Sequence, residues 1–88
     1  MRAIEAVTSE GPRGPAYIRF SQGTVARTET WQDNDDLVID YDADHAVVGV
    51  ELISLGPDVM EALVDAARRN GLDLSALVAH SFSVFPAA

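Results

Sequence analysis

Four carboxylates between residues 40 and 51 follow the spacing of a calcium-binding loop. Counted from Asp40, they fall at positions one, three, five and twelve (Asp40, Asp42, Asp44 and Glu51). This is the ligand order of the EF-hand, in which oxygen atoms wrap around one Ca²⁺. Position six, where that loop needs glycine for a sharp bend, is His45. Because the flanking residues alternate as strands rather than helices, the pattern predicts an acid-rich β-hairpin turn.

A second acidic group precedes this hairpin. Asp33, Asp35 and Asp36 lie in the polar segment 32–36, which is predicted to be a solvated loop. Together with Asp42 and Asp44 they predict an acidic patch that suits a basic protein partner. The alternative for such an oxygen-rich loop is a weakly held hard cation, in a small metal-dependent protein or enzyme that uses these carboxylates.

Groups suited to covalent catalysis are scarce. The chain has no cysteine, and its two histidines, His45 and His80, lie outside any recognisable motif. There is no glycine-rich phosphate loop or other cofactor-binding motif, so the sequence predicts no catalytic residue, no cofactor and no metal site, and enzymatic activity is not favoured. Phe82 and Phe85 are candidate interface residues, since aromatic side chains anchor interfaces. The alternative is that they cover the core.

The charge balance excludes two classes of partner. The formal net charge is −8, and the only basic side chains besides histidine are six arginines. Such a chain is repelled by phosphate backbones and by anionic lipids, so neither a nucleic acid nor a membrane is predicted as a partner. No apolar run approaches the roughly 20 residues that cross a bilayer. A cytoplasmic location is the expectation.

The elements that position these residues form a single α+β domain over residues 1–88. Short runs with period-two alternation predict strands. They are Ile4–Val7, Ala16–Phe20, Thr24–Trp31, Leu37–Tyr41 and Val47–Ile53. Their short connections predict an antiparallel β-meander of about five strands over about residues 3–54. One or two C-terminal helices are expected to pack on one face of the sheet over about residues 57–82, followed by a tail over 83–88.

The helix that follows Gly56 is the clearest single element. Pro57 suits a first helical turn, Asp58 favours the N-terminus, and Arg68 lies where a C-terminus favours cations. Gly71 is predicted to be a left-handed cap. A second short helix is predicted from about residue 73 to residue 82.

Four segments carry a family resemblance. They are Ala16-Tyr17-Ile18-Arg19-Phe20, Val25-Ala26-Arg27-Thr28-Glu29, Val38-Ile39-Asp40-Tyr41-Asp42-Ala43-Asp44 and Val48-Gly49-Val50-Glu51. Over about residues 16–53 the chain resembles a family of small bacterial proteins known as a domain of unknown function, DUF2283. It departs from the family at residues 11–15 and at His45, where glycine is commoner. The resemblance implies a compact β-rich fold with a packed helix, and no assigned activity. Some relatives are encoded beside small toxin-like proteins, which implies an antitoxin-like role by association.

Small size, an acidic surface and the scarcity of catalytic groups together favour a protein-interaction module. The expected partner is a second copy of the chain, giving a homodimer, or a basic protein such as a toxin.

Overall fold

The computed structural model describes residues 1–11, 14–32 and 34–77. It contains seven strands and one long helix in these residues. In chain order they are β1 (Arg2–Ala3), β2 (Ala6–Ser9), β3 (Ala16–Arg19), β4 (Arg27–Trp31), β5 (Asn34–Tyr41), β6 (Val47–Leu52), α1 (Pro57–Asn70) and β7 (Leu72–Asp73).

Five of the strands form one antiparallel sheet in the order β2-β3-β6-β5-β4. The short strands β1 and β7 form a separate parallel pair. The predicted α+β class, with a five-stranded antiparallel sheet followed by a helix, is therefore confirmed. The connectivity departs from a simple meander in one place, because β3 pairs with β6 and not with β4. The physical reason is burial: Ile18 of β3 is 1 % exposed beside its partner Val50, whereas the polar β4 suits a sheet edge.

Two predicted strand boundaries are wrong, one at the acidic segment and one near the N-terminus. Strand β5 begins at Asn34, so Asp35 and Asp36 belong to the strand and not to a loop. At the start of this strand, the Asn34 side-chain oxygen accepts a hydrogen bond from the Asp36 amide (2.9 Å). Near the N-terminus, the strand predicted at residues 4–7 lies instead at residues 6–9.

The core lies between one face of the sheet and α1. Side chains from alternate positions of β3, β5 and β6 meet one stripe of the helix, as the two sequence periods require. The buried apolar residues are Ile18, Phe20, Leu37, Ile39, Tyr41, Val47, Val48, Val50, Leu52, Val59, Leu63, Ala66, Ala67 and Leu72. The apolar Val64 lies on the far side of the helix and is 48 % exposed.

Helix α1 begins and ends where its sequence predicts. Pro57 occupies the first turn, and Gly71 has φ = 65° and donates its amide to the Ala67 carbonyl, as a left-handed cap does. Beyond it, the Asp73 carboxylate accepts hydrogen bonds from the Ser75 amide (2.9 Å) and hydroxyl (2.7 Å). Residues 78–82 of the predicted second helix lie outside the described residues. In the part of the chain that the structure describes, no helix combines the length and apolar character needed to cross a membrane.

Candidate functional site

The face of the sheet opposite α1 carries a set of polar side chains that strand alternation places together. Because Ile18, Ile39 and Val50 point into the core, their neighbours along each strand point the other way. We call this surface the open face. Its residues include Tyr17, Arg19, Thr28, Thr30, Val38, Asp40, Gly49 and Glu51.

Three side chains of the open face form a hydrogen-bonded row across the sheet. The Tyr17 hydroxyl donates to Oδ2 of Asp40 (2.8 Å), and the Thr28 hydroxyl donates to Oδ1 of the same carboxylate (2.6 Å). Thr28 lies directly opposite Asp40 in the register of β4 and β5. We call Tyr17, Asp40 and Thr28 the polar row. Both oxygens of the Asp40 carboxylate are engaged, so the row ties together strands β3, β5 and β4.

Gly49 makes this row possible. Tyr17 and Asp40 lie on strands that are separated by β6, and Gly49 of β6 is directly opposite Asp40. The Tyr17 ring crosses the backbone of Gly49 so closely that a Cβ at this position would overlap its hydroxyl and Cζ atoms. Sequence reasoning did not assign a role to Gly49. The available signal was a glycine inside a strand, which often marks a close approach by another group.

The environment of the row raises the pKa of Tyr17 from 10.0 to about 12. Burial is the largest cause, followed by the hydrogen bond to Asp40 and the charge of that carboxylate. The Arg19 guanidinium, 5.9 Å from the centre of the Tyr17 ring, opposes part of this shift. A neutral phenol and a doubly hydrogen-bonded carboxylate are not arranged as a nucleophile and its base. The row is suited to holding the open face rigid.

The titration of Tyr17 provides a direct check of this geometry. The chain has two tyrosines, so in a Tyr41→Phe background only Tyr17 titrates, and its absorbance midpoint is expected near pH 12. Adding Asp40→Asn should lower the midpoint but keep it above 10.0, because burial is the larger cause. Since the folded-state pKa is raised, the contribution to stability is complete below pH 10 and is lost as the pH rises towards 12. A midpoint near 10.0 without the Asp40 substitution would contradict the hydrogen-bonded arrangement.

The calcium-loop spacing is folded as a hairpin turn, as the strand pattern predicts. Oδ1 of Asp42 accepts the amides of Asp44 (2.8 Å) and Ala46 (2.9 Å), an arrangement that closes the turn between β5 and β6. His45 has φ = 66°, a left-handed conformation that favours glycine, and its ring stacks on Tyr41 with centroids 4.5 Å apart. Within the described residues, no group of three or more acidic or histidine side chains is arranged to hold a metal ion.

The structure separates the residues of the predicted acidic patch into two places. Asp35 and Asp36 lie near the start of β5, whereas Asp42 and Asp44 follow its end, roughly 20 Å away at the rise of an extended strand. Asp36 also accepts a hydrogen bond from the Ser54 hydroxyl (3.1 Å). Asp33, Phe82 and Phe85 lie outside the described residues. An interaction role for all these residues stays a prediction.

The described residues also form two depressions on the surface. One, of about 330 Å³, borders the open face and is lined in part by Glu10, Glu51 and the Tyr17 ring. The other is a wider groove of about 990 Å³ between Trp31 and the outer side of α1, where Met60 and Val64 provide apolar surface. Neither contains a histidine beside a hydroxyl group, so neither has the groups of a nucleophilic active site.

The fold and the open face define a small acidic α+β domain in which, among the described residues, a helix packs on one face of the sheet and not on the other. Comparison with protein families shows that the model of a family described as a protein of unknown function (DUF2283) matches residues 16–54. The predicted resemblance is thereby confirmed over a little under half of the chain. The matched segment runs from β3 to just beyond β6 and contains the whole polar row and Gly49. No curated protein and no solved structure matches the chain.

Proposed function

We propose that this chain is a protein-interaction module that presents the open face to a basic protein. The observation that carries the proposal is that α1 covers one side of the sheet, while among the described residues the side chains of the open face are half-buried or exposed. The second face of such an antiparallel sheet is accessible, either to solvent or to a partner whose surface complements it. The resemblance adds an antitoxin-like role as one form of this function.

The composition of the open face supports a basic partner. Among the residues of the open face, Asp40 and Glu51 are acidic and Arg19 is basic. The whole chain has a formal net charge of −8. Complementary charge steers a basic partner towards such a surface and disfavours acidic competitors. Ile53, which continues the alternation of β6 and is 47 % exposed, adds an apolar contact beside the acidic residues.

Rigidity of the open face is a second support. The polar row fixes Tyr17 and Thr28 in one arrangement before any partner arrives. A surface that is already ordered loses less side-chain entropy on binding, so more of the contact energy contributes to affinity. The metal-dependent alternative is not favoured by any contact among the described residues.

Charge reversal on the open face tests this function. The tagged full chain is expressed in cells that carry its gene, cross-linked there, and the recovered proteins are quantified by mass spectrometry. Glu51→Lys changes an exposed residue of the open face outside the polar row, and is expected to reduce recovery of a basic partner on the order of tenfold. Glu61→Lys, an equal charge change on exposed α1, is the matched control and should recover the partner as the unmodified chain does.

Two results would count against the proposal. One is the absence of any basic protein among those recovered with the unmodified chain. The other is a recovery that changes equally with the open-face variant and the α1 control, because the interaction would then depend on overall charge and not on this surface.

A further inference from the structure

The outer edge of β4 is an unpaired strand edge. Strand order places β4 at one end of the five-stranded sheet, and within the described residues no strand pairs with its outer side. We propose that two copies of the chain associate through their β4 strands into one continuous antiparallel sheet. The proposal rests on the interaction-module function and names a second copy of the chain as one partner.

The hydrogen bonds of β5 show which backbone groups of β4 point outwards. The Ile53 amide donates to the Asp36 carbonyl, so Asp36 and every second residue after it direct their backbone groups towards β6. Tyr41 lies in the other half of this alternation, and its carbonyl accepts the Ala26 amide on the β4 side.

The register between β4 and β5 then shows which backbone groups of β4 point into the sheet and which point outwards. Arg27 is opposite Tyr41 and Glu29 is opposite Ile39, so the backbone groups of Arg27 and Glu29 are used inside the sheet. Those of Thr28 and Thr30 therefore point away from it. They are available to a further strand.

Over residues 27–30, before the irregularity at Trp31, the β4 edge lacks most of the usual protection against pairing. Natural edge strands are shielded by lysine, proline, a bulge or an excess of like charge. The segment 24–31 has no lysine and no proline, and its one arginine and one glutamate give it no net charge, although the whole chain carries −8. The opposite edge strand, β2, is flanked instead by two glutamates, Glu5 and Glu10. Two copies can therefore approach along β4 with less repulsion than along β2.

Charge complementarity selects one register for the pair. In an antiparallel arrangement centred on Thr28, the two Thr28 residues exchange backbone hydrogen bonds, and Arg27 of each copy lies opposite Glu29 of the other. Directly opposite side chains have Cβ atoms within about 5.5 Å, close enough for an ion pair. Within each chain Arg27 already contacts Glu29, so the two copies would form a network of four alternating charges.

Registers shifted by one or two residues towards Thr30 are expected to be less stable. A pair centred on Glu29 would place the two glutamates directly opposite each other, which is destabilising. A pair centred on Thr30 would extend across the irregularity between Thr30 and Trp31, where the regular ladder ends.

The pair leaves the open face free. A two-fold axis perpendicular to the sheet continues the sheet in its own plane, so both α1 helices lie on one side and both open faces on the other. Self-association and binding of a basic protein can therefore succeed or fail independently.

The first test uses proline at the edge. Sedimentation velocity of the full chain over a wide concentration range is expected to show a monomer–dimer equilibrium, which Thr28→Pro weakens at least about tenfold. Because the Thr28 amide points outwards, proline removes no backbone hydrogen bond within the monomer, but it does remove the hydroxyl that donates to Asp40. Thr28→Val, which lacks the hydroxyl and keeps the amide, controls for that loss and should dimerise normally. Ser9→Pro, at the outer side of the opposite edge strand, is the matched control and should dimerise normally. Circular dichroism confirms that each variant is folded.

The second test uses charge and does not depend on proline. In a dimer of the Arg27→Glu variant, glutamates at positions 27 and 29 of the two copies lie opposite each other. In a dimer of the Glu29→Arg variant, arginines do. Each variant alone should therefore dimerise about tenfold more weakly than the unmodified chain. Mixed together, the two variants restore both opposite-charge contacts and should form a one-to-one heterodimer.

Three results overturn the proposal: an unmodified chain that stays monomeric at every concentration, a dimer that Thr28→Pro leaves intact, or a mixture that associates no better than its components. Glu51→Lys should not change the dimer. A monomeric chain whose capture of a basic protein still depends on Glu51 would reject the β4 pair alone, whereas a β4 dimer without such capture would reject the open-face function alone.

Discussion

Gly49→Ala is expected to lower the free energy of unfolding by about 2 kcal/mol. The added methyl would overlap the Tyr17 hydroxyl and the adjacent ring atoms, so the ring must move away from the surface of β6. Its hydrogen bond to Asp40 is then broken, and the carboxylate keeps only the Thr28 hydroxyl as a side-chain donor. Urea denaturation measures the loss of stability. The Tyr17 titration should move at the same time from about 12 towards 10.0, since both burial and the hydrogen bond decrease.

The matched control for Gly49→Ala is the same substitution in a Tyr17→Ala background. Glycine weakens a strand interior, so once the ring is absent the methyl should be neutral or stabilising by up to about 1 kcal/mol. The two backgrounds form a double-mutant cycle whose coupling energy isolates the clash with Tyr17. Equal losses in both backgrounds would show that the cost of alanine at this position does not come from the Tyr17 ring.

Leu63→Ala is expected to have a larger effect, a loss of about 3 kcal/mol in the free energy of unfolding. Leu63 is 0 % exposed and lies in the core cluster between α1 and the sheet. Truncation removes apolar contacts and leaves a cavity that a close-packed interior fills poorly. For a chain of 88 residues the midpoint of thermal unfolding should fall by roughly 15 °C. Calorimetry or a thermal melt followed by circular dichroism measures it.

Val64→Ala is the control for Leu63→Ala, one position along the same helix. Val64 is 48 % exposed, so its truncation should change stability by no more than about 0.5 kcal/mol, and the higher helix propensity of alanine offsets part of that. If the two variants unfold alike, the assignment of the buried stripe of α1 is wrong.

Much of the fold could be predicted from local pattern. The helix was predictable because Pro57 and Gly71 mark its ends and its apolar residues recur with the helical period. The alternation of Leu37, Ile39 and Tyr41 likewise predicted which face of β5 is buried. The same alternation predicted that the calcium-like spacing forms a hairpin turn. Strands on both sides of the turn prevent the four carboxylates from surrounding one ion.

The candidate site was much less predictable. Tyr17 and Asp40 are 23 positions apart in sequence and come together because β6 lies between their strands and carries Gly49 where the Tyr17 ring must cross. The acidic patch was predicted instead from residues that are close in sequence. The extended strand β5 places Asp35 and Asp36 at one of its ends and Asp42 and Asp44 beyond the other. Nearness in sequence is a poor guide within strands, because each residue adds about 3.3 Å of length.

By itself, the sequence determined helix α1, the five strands of the main sheet in approximate position and the buried faces of β5 and β6, and its net charge predicts neither a nucleic acid nor an anionic membrane as a partner. It did not predict the short parallel pair β1 and β7. Only the tertiary structure decided that β3 pairs with β6, which places Tyr17 near Asp40 and leaves β4 at the edge. The physical reason is that periodicity reports the environment of each segment separately, whereas strand order is chosen by how all the buried faces together can be covered. Asp40, the first residue of the calcium-like spacing, lies near Tyr17 only because of this strand order. Its carboxylate accepts hydrogen bonds from Tyr17 and Thr28 and so holds the open face together.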